Sequence, residues 1–213
     1  MKRAEARQRN TTALLDAALT EMAAHGYAAA RLEDIAARAG LTTGAVYSLF
    51  GSKHRLLAAA VEHLAHRLRS GLEELAARQD LSLREVLRGL ATVMHRAAAE
   101  EPAAQWYAFE VEAASLALRD PELAGTLARH TGEITDLVRG ILTDRVIDPA
   151  APTPARTTPE QAAHLAPAVR ALTAGLAQQA IHAPGTLTGR YAADAAAALA
   201  HLLDQGPAGR ASP

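Results

Sequence analysis

Apolar residues recur at three- and four-residue intervals along most of this chain, the spacing that places side chains on one face of an α-helix. The pattern is clearest at residues 31–57, where one apolar run ends at Gly40 and a second ends at Gly51. Glycine readily takes the left-handed conformation that ends helices. Residues 31–57 are therefore predicted to form two short helices joined by a tight turn, followed by the start of a third.

The same spacing predicts further helices on both sides of this segment. A first helix is expected at 11–24 with Gly26 as its stop, because residues 1–10 have too little apolar content to fold alone. A long helix should begin after Ser52, and Pro167 should kink its own helix or shift that helix's start. The remaining helices are predicted at 83–99, 103–118, 120–146, 160–181 and 191–203.

Composition agrees with helices and excludes several classes of protein. Aromatic residues make up only 3% of the chain, and abundant alanine and leucine favour closely packed helices over a sheet. The absence of cysteine excludes disulfides and thiolate metal sites, so we expect a soluble protein of the reducing cytoplasm. No apolar run approaches the ~18 residues of a membrane span, so no membrane partner is expected. The four prolines in residues 148–159 predict a loop or a partly disordered linker.

Charge is distributed unevenly along the chain. Residues 1–70 hold ten Lys or Arg against six Asp or Glu, a net charge of +4. Residues 71–213 hold twelve against seventeen, a net charge of −5. A basic N-terminal third followed by an acidic remainder is typical of a nucleic-acid-binding domain attached to a domain with another role.

The second helix of the 31–57 segment has two different faces. Val46, Leu49 and Phe50 give it a narrow apolar side, and Thr42 is placed to cap its N-terminus. Small and polar residues occupy the opposite side, which leaves room for close approach to a DNA major groove. These residues are Thr43, Gly44, Tyr47 and Ser48. The spacing therefore indicates a helix-turn-helix rather than a bare helical corner.

At this point the chain resembles the TetR family of bacterial transcriptional regulators. The residues that match the family's pattern are Ile35, Ala36, Ala39, Gly40, Leu41, Thr42, Gly44, Val46, Tyr47, Phe50, Ser52, Lys53 and Leu56. Two positions depart from it: Leu49 stands where the family usually has a phosphate-contacting His or Tyr, and Arg31 replaces a capping Thr or Ser. The resemblance implies double-stranded DNA, a small-molecule effector and a second copy of the chain as partners.

The predicted fold is all-α, with an N-terminal three-helix helix-turn-helix domain followed by a larger helical ligand-binding and dimerisation domain. We place the DNA-binding domain at 1–50, the effector-binding and dimerising domain at 51–205 and a flexible tail at 206–213. In the DNA-binding domain, Thr43, Gly44 and Ser48 are expected to face base edges. Phosphate contacts are assigned to Thr42, Tyr47 and Lys53.

An aromatic cluster is the candidate effector site. Trp106 and Phe109 are predicted to share one helix face with Glu110 beside them and pointing inward, while Glu112 is placed on the polar outer face. A pocket for a cationic or hydroxyl-bearing ligand suits this chemistry. Plain core is the alternative, because an aromatic stripe at helical spacing is common in helix packing.

Metal binding and catalysis are weaker interpretations. His63 and His66 stand three residues apart and would need a third ligand to hold a metal, whereas surface histidines are far commoner, so no metal site or cofactor is assigned. The chain has no nucleophile elbow, no phosphate-binding loop and no H-E-x-x-H motif, and its carboxylates stand singly, so we predict no catalytic residues and no enzyme.

The predicted function is a homodimeric repressor that a small-molecule effector releases from a palindromic operator. The two C-terminal helices are expected to form the dimer interface, with Leu172 and Leu176 in it and Gly175 allowing close approach. An activator or an effector-independent regulator is the main alternative, and a helical enzyme or carrier with a DNA-binding head is a more distant one. The sequence identifies neither the effector nor the operator.

Overall fold

The computed structural model describes residues 2–100 and 102–203, and within these ranges it is almost entirely helical. The predicted tail at 206–213 lies outside the described residues. The helices are α1 (Lys2–Ala29), α2 (Leu32–Arg38), α3 (Thr43–Phe50), α4 (Lys53–Ala77), α5 (Leu83–Ala99), α6 (Ala103–Ala117), α7 (Pro121–Leu142), α8 (Pro159–His182) and α9 (Gly189–Ala198), followed by a short 3-10 helix (Leu199–Leu202). In the described residues, extended pairing is limited to an antiparallel bridge between Val146 and Arg156. The all-α fold class is confirmed.

Most helix boundaries follow from local capping chemistry. Ser82 and Glu85 form a capping box at the start of α5, and Thr158 and Gln161 form another at the start of α8. The Asp120 carboxylate accepts the backbone N–H groups of residues 122 and 123 at the start of α7. These caps satisfy N–H groups that have no partner inside the helix, so the predicted boundaries agree with the structure to within a few residues.

Two predictions about the first helix and about α8 need correction. Helix α1 begins at Lys2 and not near residue 11. Alanine, arginine and glutamate are good helix formers, and extending an anchored helix costs far less than nucleating a new one. Gly26 does leave the helical conformation, with φ 75° and ψ 161°. Pro167 lies inside α8 and does not shift its start from Pro159, so that alternative is wrong, while the predicted kink stays a prediction.

The chain divides into two compact units, and the first contains residues 1–67 and 101–131. Its core joins α1, α2, α3 and the first part of α4 to α6 and the start of α7. Leu14, Leu19, Ile35, Val46, Leu56 and Phe109 are among its buried residues. The compact unit therefore extends past the domain boundary predicted at residue 50, because α6 packs against α1. The division into a DNA-binding and an effector-binding domain stays a proposal about function.

The second unit contains residues 68–100 and 132–213. In its described part, α5 packs against α8 and α9. One core cluster is built on leucines and valines of α5, α7 and α8, and a smaller one contains Ala91, Leu176, Ala192 and Ala196. Small alanine side chains let α5 and α9 approach closely, as the composition predicted.

The proline-rich residues 148–159 form a loop up to the start of α8, one of the two predicted alternatives, and the residues on either side of this loop are hydrogen-bonded to each other. The backbone N–H of Asp144 donates to the Thr157 carbonyl, and that of Thr157 donates to the Arg145 carbonyl. The Arg145 side chain is 1% exposed. Its guanidinium donates to the carbonyl of Ile141 at 2.7 Å and to the carbonyl of Arg78. A buried arginine with backbone partners thus anchors the chain just before this proline-rich loop.

Candidate nucleic-acid interface

The turn between α2 and α3 is built from one glycine and one cap. Gly40 has φ +67° and donates its N–H to the Ala37 carbonyl at 3.0 Å, while Leu41 donates to the Ala36 carbonyl at 2.8 Å. Thr42 then accepts the backbone N–H of Ala45 on its hydroxyl oxygen at 3.3 Å. This pair of devices ends α2 and starts α3 within four residues, which produces the predicted helix-turn-helix.

Helix α3 has one buried side and one exposed side. Val46 is fully buried against the other helices of the first unit, and Leu49 and Phe50 are half-buried beside it. On the opposite side Tyr47 is 56% exposed. The other predicted DNA-contacting residues of this region are exposed, namely Thr42, Gly44 and Ser48, apart from the half-buried Thr43. The structure thus brings these five residues together on and beside one short helix with its polar groups open to solvent.

Lys53 stands at the start of α4, but its ammonium turns back towards the end of α1. Gly51 ends α3 with φ +77°, and Ser52 accepts the N–H of Arg55 on its hydroxyl at 3.1 Å to cap α4. The Lys53 ammonium donates to the Ala28 carbonyl at 3.2 Å and lies 4.7 Å from the centroid of the Tyr27 ring. Partial burial lowers the pKa of Lys53 below its usual value. An ammonium has three N–H donors, so the hydrogen bond to Ala28 leaves two that a DNA phosphate would use.

The two departures from the family pattern have visible local consequences. Arg31 precedes α2 in extended conformation and makes no side-chain cap, while its guanidinium lies 3.7 Å from Glu33. Leu49 packs against the core of the first unit, so it adds apolar contact where the family usually places a phosphate-binding group. Helix α2 is tied to α1 at its other end, where the side chain of its last residue, Arg38, donates to Glu21 of α1 at 2.6 Å. Glu21 is a buried carboxylate that sequence spacing did not single out.

The aromatic residues of α6 belong largely to the core. Phe109 is fully buried in the first unit, and Trp106 is half-buried against the same cluster. The plain-core alternative therefore describes Phe109, which an effector reaches only by entering that core. Trp106 retains accessible surface and stays the aromatic candidate for ligand contact.

The orientation predicted for the two carboxylates of α6 is wrong. Glu110 is exposed, although neighbouring protein atoms desolvate its carboxyl and raise its pKa. Glu112 is half-buried and accepts the Tyr27 N–H of α1 at 2.8 Å. At 100° per residue, Glu112 lies about 60° from Phe109 and Glu110 about 100° from it, so Glu112 is the nearer to the buried face. Glu110 remains beside Trp106 at the edge of that face.

The histidine pair considered for a metal does not form such a site. The Nε2 atom of His63 lies 2.9 Å from Asp16 of α1, while His66 is exposed. Across the described ranges, no three His, Asp or Glu side chains are grouped as metal ligands would be. Nor does any helix within those ranges have the length and apolar character needed to cross a bilayer.

The fold and the exposed face of α3 define the class of protein: a helical DNA-binding regulator of the helix-turn-helix type. Residues 14–60 match the family model described as "Bacterial regulatory proteins, tetR family". The resemblance recognised from the sequence is thereby confirmed over residues 14–60, and a role in DNA-binding regulation is supported. No curated protein matches the chain.

Solved structures share the fold over nearly the whole chain. A crystal structure of a transcriptional regulator from Rhodococcus sp. Rha1 has a TM-score of 0.66 and 22% identity, covering 94% of this chain and 96% of its own. A TetR transcription regulator from Haloarcula marismortui has a TM-score of 0.67 and 17% identity, covering 91% and 97%. A structure from Saccharomonospora viridis, assigned as a transcriptional regulator and solved in complex with choline, has a TM-score of 0.59 and 18% identity, covering 95% and 97%.

Proposed function

We propose that this protein is a cytoplasmic homodimeric repressor that binds a palindromic operator through α3 and is released by a small-molecule effector. The observation that supports DNA binding best is the exposed polar face of α3. We assign Thr43, Gly44 and Ser48 of this helix to base edges, and Tyr47 with the neighbouring Thr42 and Lys53 to phosphates. Because α3 spans only Thr43–Phe50, one copy reads a few base pairs and two copies are needed for a specific site.

Selection from randomised duplex DNA tests this proposal directly. The purified protein should retain sequences with two inverted half-sites, spaced so that both copies of α3 enter successive major grooves. Thr43→Val should change the preferred base at one position of each half-site, whereas Tyr47→Phe should weaken binding to every sequence alike. Retained sequences without inverted symmetry would contradict the dimeric mode of binding.

The dimer is assigned to the outer faces of α8 and α9. Leu172 and Leu176 do not lie there: Leu176 is 8% exposed within the α5–α9 core, and Leu172 packs against that core. Charged substitutions at these two positions would therefore unfold the second unit as well as disturb a dimer. The outward-facing residues of the same helices include small or apolar ones as well as polar ones such as His164, Gln178 and Arg190. The small or apolar ones are Ala163, Pro167, Ala171 and Ala174 of α8, and Tyr191 and Ala198 of α9 with Leu202 just beyond it.

Sedimentation of variants at the outer face tests the dimer without damaging the core. Ala171→Glu together with Ala174→Glu places carboxylates on the exposed side of α8, where a paired copy would bury them. The double variant should sediment as a folded monomer and lose specific DNA binding. Ala104→Glu, at an exposed position of α6, is the matched control and should stay dimeric. A wild-type protein that is monomeric at micromolar concentration would contradict the proposal.

The effector is proposed to be a small molecule with a cationic or hydroxyl group that contacts Trp106 and Glu110. An indole face and a nearby carboxylate together suit a positive charge. The choline bound in the structurally similar Saccharomonospora viridis protein is a ligand of this chemical kind. Phe109 supports the indole from within the core and contacts ligand only if the core opens.

Trp106, the only tryptophan, gives a direct readout of effector binding. A panel of quaternary ammonium compounds that includes choline should contain a ligand that changes its fluorescence and weakens operator binding over the same concentration range. Glu110→Gln should move both curves together. Operator release without a fluorescence change would place the effector elsewhere. Binding that is unaffected by any ligand, or promoter activation on binding, would favour the effector-independent or activating alternatives.

A further inference from the structure

The break in α1 is closed by a carboxylate from α6. Gly26 takes φ 75° and ψ 161°, a backbone conformation that is essentially restricted to glycine. The chain leaves the helix there, and the N–H of Tyr27 is taken by Oε1 of Glu112 at 2.8 Å. A charged acceptor for a half-buried backbone donor makes a strong hydrogen bond. Glu112 therefore holds the kink of α1, where residues 26–28 form a turn between its two helical parts.

Gly26 and Glu112 fit each other closely. A Cβ atom at Gly26 would lie 3.3 Å from Oε1 of Glu112, tighter than nearly all ordinary contacts of a Cβ atom. The carboxylate thus occupies space that any other residue at position 26 would fill. Glycine at position 26 therefore both permits this backbone conformation and leaves room for the Glu112 carboxylate.

The other end of the same turn holds Lys53. The residue after Tyr27 supplies the carbonyl that accepts from the Lys53 ammonium at 3.2 Å, and the Tyr27 ring lies beneath that ammonium at 4.7 Å. Three consecutive residues, 26–28, therefore lie between the carboxylate of α6 and the ammonium at the start of α4. A lysine side chain is a flexible four-carbon chain, so the hydrogen bond and the ring contact determine where its charge is held.

We propose that Glu112 is a positioning residue for the DNA contact of Lys53, acting through the turn at residues 26–28. Glu112 itself touches no residue assigned to DNA. It fixes the Tyr27 backbone, and Tyr27 and Ala28 hold the Lys53 ammonium against the end of α1. The inference rests on the proposed function, because it takes Lys53 as a phosphate contact.

A double-mutant cycle on random-sequence duplex DNA tests the inference, since phosphate contacts do not depend on sequence. Lys53→Ala and Glu112→Ala should each weaken binding about fivefold and lower the salt slope by about one per bound subunit. The variant carrying both changes should bind no more weakly than Lys53→Ala alone, because Glu112 acts only through Lys53. Glu112→Gln keeps an oxygen acceptor and should recover most of the affinity. Glu74→Gln removes the same charge from an exposed site of α4 and should bind as the wild type does.

The outcomes separate the inference from the proposed function. If Lys53→Ala weakens binding but the two changes are additive, Glu112 acts elsewhere and the inference fails while DNA binding stands. If Lys53→Ala leaves affinity and salt slope unchanged, Lys53 is not a phosphate contact, and the inference about Glu112 fails with that assignment. A purely structural role for Glu112 would lower the thermal midpoint of Glu112→Ala with the wild-type salt slope kept.

If Glu112→Ala does not fold, Glu112→Asp takes its place. Aspartate keeps the charge but is one methylene shorter, so its carboxylate reaches the Tyr27 N–H less well. It should show the same loss of salt slope in smaller measure, and its cycle with Lys53→Ala should again be non-additive. A wild-type slope in Glu112→Asp would overturn the inference.

Discussion

Two turns in this protein are completed by a charged side chain, and they differ in what the charge achieves. In the first unit, the half-buried Glu112 accepts one backbone N–H at the break in α1. In the second, the buried Arg145 donates to two backbone carbonyls, those of Ile141 and Arg78, near the ends of α7 and α4. Arg145 lies among structural groups only, whereas the turn held by Glu112 continues to Lys53. The same physical device thus serves stability in one unit and, as we propose, the position of a DNA-contacting residue in the other.

Removing the buried guanidinium of Arg145 should have the largest effect on the stability of the protein. Arg145→Leu is expected to lower the free energy of unfolding by about 3 kcal/mol or more, because two carbonyls lose a charged donor in a buried site. Urea unfolding followed by circular dichroism measures this loss. Arg156→Leu, which breaks an exposed pair with Asp144, is the control and should cost below about 1 kcal/mol. Equal losses in the two variants would remove the special role of Arg145.

A substitution at the break in α1 should have the second largest effect on stability. Gly26→Ala is expected to cost about 1–3 kcal/mol, since alanine is strained at this backbone conformation and its Cβ crowds Glu112. Gly125→Ala is the control: it lies inside α7 with no atom near its Cβ position, and it should be neutral or stabilising by up to about 1 kcal/mol. Thermal unfolding of both variants makes the comparison. A Gly26→Ala variant as stable as wild type would mean that the break tolerates a side chain.

Loss of the Lys53 charge should affect DNA binding more than stability. Lys53→Ala is expected to weaken binding about five- to tenfold on all sequences alike, with a thermal midpoint near that of wild type. Arg139→Ala removes an equal charge from an exposed position of α7 and should leave DNA affinity unchanged. Fluorescence anisotropy at several salt concentrations measures both. A large loss of stability with unchanged affinity would make Lys53 a structural residue like Arg145.

The smallest effect is expected at Glu110 and depends on pH. Desolvation raises the pKa of its carboxyl, so the folded state binds this proton more tightly than the unfolded chain does. Its contribution to stability is therefore fully present below the unfolded pKa and is lost as pH rises through the folded pKa. Glu110→Gln should be more stable than wild type at neutral pH, and the difference should vanish in acid. An unfolding series across pH checks the sign, and a constant difference would contradict it.

Local chemistry made the helix-turn-helix readable from the sequence. Gly40, Thr42 and Gly51 act on backbone groups within a few residues of themselves, and the structure shows each in its predicted conformation or cap. The capping boxes at Ser82 and Thr158 are of the same kind. The family pattern depends on these short-range rules, which is why the fold class and the family were predicted correctly.

Long-range partners were decided only by the tertiary structure. Helical spacing placed Glu110 and Glu112 on α6, but packing against α1 selected Glu112 as the half-buried one. Leu172 and Leu176 have the spacing of an interface, yet within one chain Leu176 is buried, and Leu172 half-buried, against residues of α5 and α9. Arg145 lies just after the end of α7, within the helix predicted at 120–146, and its partners include a residue 67 positions away. The sequence by itself determined the helices and their caps, because those energies are local. Which faces meet, and therefore which charges are buried, depends on contacts between helices that spacing along one helix does not encode.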